Sequence, residues 1–244
     1  MEISPSFMEY SQVKIQVVGK EVQEMFGSIA ERYDLANSCL SLGIHKWWRR
    51  RLSRAWRRLS VAGHIVSGPV LDLCSGTGDV LFELEKTFPH CIGADFCLPM
   101  LEQGKKRKES SLFLQADALQ LPFPDETFSL ITVSFGVRNL EKLEVGLQEM
   151  FRVLKPSGHL LVMEFGQPRN RAWRALFSLY SFQIMPYLGG LLTGNRAAYE
   201  YLPRTSQKFP CGEDFMAQLK VAGFSSCTAQ SLSGGVAYIY YGLK

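Results

Sequence analysis

Val70-Leu71-Asp72-Leu73-Cys74-Ser75-Gly76-Thr77-Gly78-Asp79 runs directly into Val80-Leu81-Phe82-Glu83-Leu84. Apolar, β-favouring positions lead into a turn of small residues. The residues after it carry the spacing of a helix with one apolar face, so the stretch reads as strand, glycine loop, helix. Gly76 and Gly78 have no side chain, which lets a ligand lie against the backbone and lets the chain take positive φ. Thr77 and Asp79 add a hydroxyl and a carboxylate at the helix start.

These residues discriminate between ligands. A dinucleotide site would have a third glycine where Leu81 stands and would seat a pyrophosphate on the helix N-terminus. Acidic residues in the loop repel phosphate, whereas Asp72 and Asp79 favour a ligand bearing an ammonium or sulfonium group, such as S-adenosylmethionine. The alternative is an ordinary tight turn between strand and helix, and the rest of the chain has to separate the two.

With 244 residues, 46% of them apolar, the chain has enough material for one large α/β domain and too little for two. Its apolar runs read as too short to cross a bilayer, and Glu2, Pro5 and Glu9 do not form a signal-peptide pattern, so the expected location is the cytoplasm. Cysteines at 39, 74, 91, 97, 211 and 227 form no CxxC pair, so neither a zinc ribbon nor a redox motif is written and no metal site is expected. A net charge of +4 does not argue for nucleic acid.

Residues 1 to about 20 have weak periodicity and read as an arm or a first short helix. Val22, Met25, Phe26 and Ile29 recur at helical spacing, and a polar break follows at Asn37-Ser38. In the stretch from Ile44 to Leu59, Trp48, Leu52, Ala55, Trp56 and Leu59 share one helical face. Arg49, Arg50, Arg54, Arg57 and Arg58 lie elsewhere, giving a basic amphipathic helix. Such a helix packs its tryptophans on a core with the arginines solvated, or touches a membrane surface or RNA.

Beyond the glycine loop, strand and helix patterns alternate as a doubly wound parallel sheet requires. Cys91 to Ala94 is a second strand, with Asp95 at its carboxyl end, where an acid can accept both ribose hydroxyls or cap the next helix. Leu112 to Gln115 is a third strand, followed by Asp117-Ala118, placed to meet an adenine amino group. Phe128 to Val133 is a fourth, opening into Ser134-Phe135-Gly136-Val137-Arg138-Asn139, where catalytic residues are expected. Leu140 to Leu154 reads as a helix stopped by Lys155-Pro156-Ser157-Gly158, and Leu160 to Phe165 as a fifth strand in which Glu164 reaches the substrate or caps the loop. Residues 166 to about 210 form an aromatic-rich insertion, a lid or wall for a greasy substrate or else a packing or dimer face. A helix from Glu213 to Ala222 and two strands joined at Ser233-Gly234-Gly235 complete a seven-stranded sheet with a final antiparallel hairpin. Residues 1–60 are thus expected as a helical extension over the active site, and residues 61–244 as the ligand-binding domain.

Several stretches together resemble the ubiquinone/menaquinone biosynthesis C-methyltransferase family, from about Val22 to the C-terminus. They are Phe26 to Asn37 (FGSIAERYDLAN), Ser41 to Trp48 (SLGIHKWW), LDLCSGTGD, LPFPDETF, SFGVRN and FRVLKPSG. SFGVRN combined with the YD, N and GIH segment is the most specific element. Cys74-Ser75 departs from the Ala-Gly or Gly-Gly common in the family, and Ser38-Cys39 replaces a pair that more often contains Asp.

The resemblance implies a Rossmann-like, S-adenosylmethionine-dependent methyltransferase. It would methylate a ring carbon of a polyprenylated quinol: demethylmenaquinol in menaquinone biosynthesis, or the benzoquinol of ubiquinone biosynthesis. Carried over by residue, Thr77, Asp95, Asp117, Ala118 and Ser134 are cofactor positions, to which the glycine-loop reading adds Asp72, Gly76 and Gly78. Arg138 is expected to stabilise a phenolate, directly or through water, and Asn139 to orient the ring. Tyr33, Asp34, His45, Tyr199 and Tyr201 are candidates for the substrate side. Peripheral contact with the inner membrane surface is expected and nucleic acid is not, and the aromatic insertion leaves a homodimer open. Readings as an RNA or small-metabolite methyltransferase, or as a non-catalytic binding protein, remain alternatives at this level.

Overall fold

Val70–Leu73 (β1) is buried along its whole length because it is sandwiched between two other strands and covered on both faces. In the computed structural model, which describes residues 20–244, β1 lies near the middle of one seven-stranded sheet of order β3-β2-β1-β4-β5-β7-β6. The other strands are Cys91–Asp95 (β2), Leu112–Gln115 (β3), Phe128–Ser134 (β4), Leu154–Phe165 (β5), Ser225–Leu232 (β6) and Ala237–Leu243 (β7). Strands β1 to β5 are parallel, and β7 enters antiparallel between β5 and β6 as the second arm of the hairpin. The Rossmann-like sheet and its closing hairpin are as the sequence reading expected. The arm or short helix expected over residues 1 to about 20 lies outside the described residues, save for its last position.

Strand order reverses between β1 and β4, and a doubly wound sheet opens a ligand crevice at the carboxyl ends of those strands. The glycine loop leaves β1 there, and Ser134 to Asn139 leave β4 opposite it. Asp79–Leu84 (α4) starts from Gly78, whose φ of 86° is left-handed. A Cβ there would also stand 2.8 Å from the rings of Phe82 and Phe113, so this position requires glycine on both counts.

Each sheet face has its own apolar layer. Leu143–Val153 (α6) and Glu213–Val221 (α10) cover one with Leu147, Met150, Phe215 and Leu219. The other is covered by α4 and by Ile44–Val61 (α3), whose Trp48, Leu52 and Trp56 are buried against Val70, Leu130 and Leu161. Burying three such side chains contributes roughly 2–3 kcal/mol each, enough to fix the basic helix to the core by its tryptophan face. Lys20–Ile29 (α1) and Tyr33–Leu40 (α2) precede it and lean over the crevice, α1 touching Leu98–Arg107 (α5).

Two expectations need correction. Lys155 to Gly158 do not form a loop between helix and strand. Leu154 already pairs with Phe128, so β5 begins there and the Pro-Ser-Gly segment is an irregularity within it, with Ser157 at φ 62° and its N–H donating to the Lys244 carbonyl. The insertion also holds an apolar run long enough to cross a bilayer. Arg171–Thr193 is one 23-residue helical rod made of Arg171–Leu179 (α7), a π-helical turn at Tyr180–Ile184 and Met185–Thr193 (α8). Two arginines in its first turn and the glycine pair Gly189-Gly190 masked its continuity in sequence. Arg196–Lys208 (α9) follows and packs on α8, so closely that a Cβ on Gly189 would lie 2.3 Å from the Tyr199 ring.

Where the crevice closes, Gly136 faces Cys74. A Cβ on Gly136 would sit 2.3 Å from the Cys74 Cβ, although its φ of −111° suits any residue. Gly136→Ala is expected to lower Tm by roughly 4–10 °C through overpacking. Cys74 is itself left-handed at φ 57°, so Cys74→Gly should restore most of the loss. A double variant no more stable than Gly136→Ala by calorimetry would refute this account.

Candidate active site

The first of two adjoining cavities, about 100 Å³, lies beyond the carboxyl ends of β1, β2 and β4. Asp95 at the end of β2 accepts the Gly76 N–H at 2.8 Å through Oδ2 and the Cys97 N–H at 2.9 Å through Oδ1. It thus holds the glycine loop and starts α5 while one edge still borders the cavity. Burial pushes its pKa up, and the backbone amides oppose that shift. Asp117, Ala118 and Ser134 line the same space, with Asp117 Oδ1 held by the Leu119 N–H at 2.9 Å.

The second cavity, about 290 Å³, has largely apolar walls contributed by α3, the β4 and β5 ends and the insertion: Trp48, Phe135, Phe165, Phe177, Met185 and Leu202. Tyr33, Cys74, Gly76, Ser134 and Phe135 border both cavities, so the two meet at the glycine loop. Asp72 faces the larger one. Its Oδ1 accepts the Thr132 hydroxyl at 2.7 Å, while Oδ2 is buried without a partner. Burial raises the Asp72 pKa to about 7 against the lowering effects of Thr132 and of the Leu81 N–H, which stands near the carboxylate outside full hydrogen-bond geometry. An unpaired buried carboxylate oxygen beside a glycine cradle, with no side chain near the Cβ position of Gly76, suits the cationic end of a cofactor.

Arg138 is on the wall of the larger cavity and 4% exposed. One terminal nitrogen reaches Glu164 Oε1 at 2.8 Å and also the Phe135 carbonyl, the guanidinium lies 5.2 Å from the Phe165 ring centre, and Nε has no partner. Glu164 is fully buried. It also accepts the Phe165 and Arg138 backbone N–H groups, at 2.8 and 3.3 Å, so it caps the loop and anchors Arg138 without bordering either cavity. Burial pushes its pKa up and Arg138 pulls it back.

Other expected site residues are distributed differently. Asn139, next to Arg138 on a single 3₁₀ turn, borders the smaller cavity instead, and its Oδ1 accepts the Tyr201 hydroxyl at 3.2 Å. Tyr201 lines neither cavity. Tyr199 and His45 do line the larger one; burial lifts the Tyr199 pKa to about 12 and lowers that of His45 to about 4, and the His45 ring is hydrogen-bonded to Ser41. Asp34 is turned away from the cavities. It accepts the Thr77 hydroxyl at 3.0 Å and Arg107 at 2.8 Å, and Arg107 also reaches Asp79 at 2.6 Å. Arg49 closes this cluster on Asp79 and borders the larger cavity, rather than lying on a solvated helix face. The sequence reading missed Arg107 altogether. Nothing local marks it, since its partners lie 28 and 73 residues away. Among the described residues, no group of three metal-ligating side chains occurs.

Residues 14–244 match the model of the ubiE/COQ5 methyltransferase family. The chain is 40% identical over 228 residues to "Ubiquinone/menaquinone biosynthesis C-methyltransferase UbiE" of Bdellovibrio bacteriovorus, covering 91% of this chain and 94% of that one. It is 41% identical over 224 residues to "Demethylmenaquinone methyltransferase" of Thermus thermophilus, covering 89% and 99%. Among solved structures, a SAM-dependent methyltransferase of Thermotoga maritima superposes with a TM-score of 0.63 at 18% identity, covering 91% of this chain and 98% of that one. A Haemonchus contortus phosphoethanolamine N-methyltransferase crystallised with S-adenosylhomocysteine gives 0.54 at 13%, covering 73% and 49%. These two likenesses concern the fold.

Two outcomes follow from the geometry. A cation binds best to ionised Asp72, and below a pKa of about 7 a proton must first leave. S-adenosylmethionine affinity by calorimetry is therefore expected to fall by up to roughly tenfold per pH unit below about pH 7 and to level off above it. His45 stays neutral in that range, so Asp72→Asn should flatten the profile; a flat wild-type profile would remove Asp72 from the site. Arg107→Ala should leave the glycine loop tied to α2 by the Thr77–Asp34 hydrogen bond alone and speed cofactor dissociation by about three- to tenfold in stopped flow, with the difference shrinking at high salt as in an exposed ion-pair cluster.

Proposed function

The chain belongs to the ubiE/COQ5 methyltransferase family, and on that premise we propose that this S-adenosylmethionine-dependent methyltransferase methylates a ring carbon of a polyprenylated quinol, with demethylmenaquinol as its substrate. The observation that carries the reading is a buried arginine with a free donor on the wall of an apolar cavity that joins the cofactor side at the glycine loop. The relatives of Thermus thermophilus and Deinococcus radiodurans, named demethylmenaquinone methyltransferases, support a naphthoquinol, while others, such as that of Bdellovibrio bacteriovorus, are named for both pathways.

Gly76, Asp95, Asp117, Ala118 and Ser134 are the residues that would hold the nucleoside, with Asp72 facing the cationic end. S-adenosylmethionine supplies, when bound, a methyl group already activated on a positively charged sulfur. This chain must therefore provide a nucleophilic ring carbon and hold it in place. A neutral quinol carbon is a weak nucleophile, and loss of a proton from the adjacent hydroxyl raises its electron density. Arg138 presents a guanidinium cation, and a fixed cation in a water-poor cavity lowers the pKa of a phenol facing it. Its donors favour the developing phenolate, directly or through one water, and the hydroxyl proton leaves to solvent; after the ring carbon takes the methyl group, its C–H bond breaks and the ring oxygen regains a proton, so one proton is released overall.

Glu164 acts through Arg138 by fixing its direction. The aromatic walls hold the ring and exclude water; positioning of this kind contributes up to roughly 7–11 kcal/mol. Asn139 orients the loop end together with Tyr201. Tyr33 and Tyr199 keep their protons because burial raises their pKa values, so they serve as donors and not as bases. The prenyl chain partitions into lipid, which puts the enzyme at the cytoplasmic face of the membrane as a peripheral protein.

Methyl transfer to demethylmenaquinol and to its benzoquinol counterpart, with products identified by mass, tests the assignment: the naphthoquinol is expected to be methylated, and product from the benzoquinol alone would move it to ubiquinone synthesis. Arg138→Ala is expected to lower kcat by about 10²–10³ with cofactor affinity unchanged, the range for losing one pre-aimed donor to a developing oxyanion. Undiminished turnover would exclude Arg138.

A further inference from the structure

The rod Arg171–Thr193 is built with two unlike faces. Ser181, Met185 and Gly189, four residues apart, are buried against the domain, and Phe177 one turn earlier borders the larger cavity. On the outside, Leu176, Leu179, Ile184, Tyr187 and Leu191 are 45–67% exposed. Only 22% of the rod's most apolar window is buried. A rod anchored along one side by α2 and α9 cannot cross a bilayer, and its outer face is far more apolar than a solvated helix needs to be.

The charge around this face has one sign. No Asp or Glu occurs between Glu164 and Glu200, while Arg169, Arg171, Arg174 and Arg196 fall in that interval; Arg169 and Arg196 lie against Glu213 and Glu200, so Arg171 and Arg174 on the rod itself supply the unbalanced charge among the described residues. The exposed apolar surface also reaches the cavity. Trp173 and Ile44 border the larger cavity while remaining 38% and 40% exposed, so they stand at its mouth, and Trp47 beside Ile44 is exposed with Arg51 over its ring.

We propose that the outer face of the Arg171–Thr193 rod, together with the Ile44–Trp47 corner of α3, docks flat on an anionic phospholipid bilayer and sets the mouth of the larger cavity against the lipid. This rests on the quinol reading and deepens it, since a prenylated substrate then enters without crossing water. Apolar residues enter the interface and the flanking arginines meet lipid phosphates, as for an interfacial amphipathic helix. The basic helix α3 contributes only its exposed corner, because its tryptophan face is committed to the core. A second copy of the chain would also cover an apolar face. The rod carries arginines and no acid of its own, so two such faces brought together would oppose Arg171 and Arg174 to their own copies, whereas an anionic surface matches them.

The test is co-sedimentation of the full-length protein with vesicles of phosphatidylglycerol and phosphatidylcholine, and with vesicles of phosphatidylcholine alone. The wild type is expected to pellet with the anionic vesicles and only weakly with the neutral ones. Leu179→Glu with Leu191→Glu, at positions that border no cavity, should weaken binding at least about tenfold. The same variant should keep S-adenosylmethionine binding by calorimetry, which verifies its fold, and kcat on a water-soluble short-chain quinol. A wild type left in the supernatant, or a variant that pellets equally well, overturns the proposal. So does a wild type that is dimeric by sedimentation velocity and becomes monomeric in the variant without a change in vesicle binding, which would make this face a homodimer interface. Failure of the short-chain assay in the wild type would count instead against the quinol reading, because vesicle binding is measured without turnover.

Discussion

The buried pair of Arg138 and Glu164 is the interaction on which the site depends. Both side chains are almost wholly out of water, at 4% and 0% exposure, and neither could stand there alone. Removing one partner of such a pair typically costs about 3–5 kcal/mol because the other charge is left uncompensated. The pair also does more than neutralise charge. Glu164 belongs to β5 and Arg138 to the turn after β4. Through the Arg138 and Phe165 amides the same carboxylate closes the loop that carries Phe135 at a left-handed φ of 59°. That loop sets where Phe135 and Phe165 meet, with ring centres 4.5 Å apart, and so shapes the apolar wall. The apolar wall and the Arg138 guanidinium are therefore held by one carboxylate.

The acids around the glycine loop are chemically alike and are separated by environment. Asp95 is engaged by backbone amides and serves mainly to hold the loop. Asp34 and Asp79 are engaged by arginines and close α2 over it. Asp72 alone combines full burial with an oxygen that has no partner, and that combination raises its pKa and leaves it open to a cation. Repulsion of phosphate by an acid near the glycine loop thus falls to Asp72, whereas Asp79 is already neutralised by Arg49 and Arg107.

Much of the fold was legible because it is written locally. Continuous apolar runs mark buried parallel strands, and Gly76 and Gly78 mark a turn that few other residues can make, so β1, its loop and the alternation that follows could be read in order. What was not legible depends on partners distant in sequence. The periodicity of α3 assigned its tryptophans to the core but could not show that Arg49 turns inward to Asp79. Asp34 stands in a motif that suggested the substrate side and lies instead under Arg107, a residue with no local signal. SFGVRN marked a loop that borders both cavities, yet one 3₁₀ turn sends Arg138 and Asn139 to different ones, a divergence that spacing alone does not reveal.

The insertion shows the same limit from the other side. Its aromatic content pointed to a wall for a greasy substrate, and Phe177 and Met185 do line the cavity, but one helical rod also exposes an apolar face of comparable size. A lid that needed only to exclude water would bury its apolar residues on one side and solvate the other. A rod apolar on both sides suits two apolar environments, the cavity within and the proposed lipid outside. Since Trp173 and Ile44 belong to both surfaces, the cavity wall and the exposed apolar face are continuous at the mouth. The sheet fixes the crevice between β1 and β4, while the walls and mouth of the larger cavity fall to helices that the sheet does not constrain.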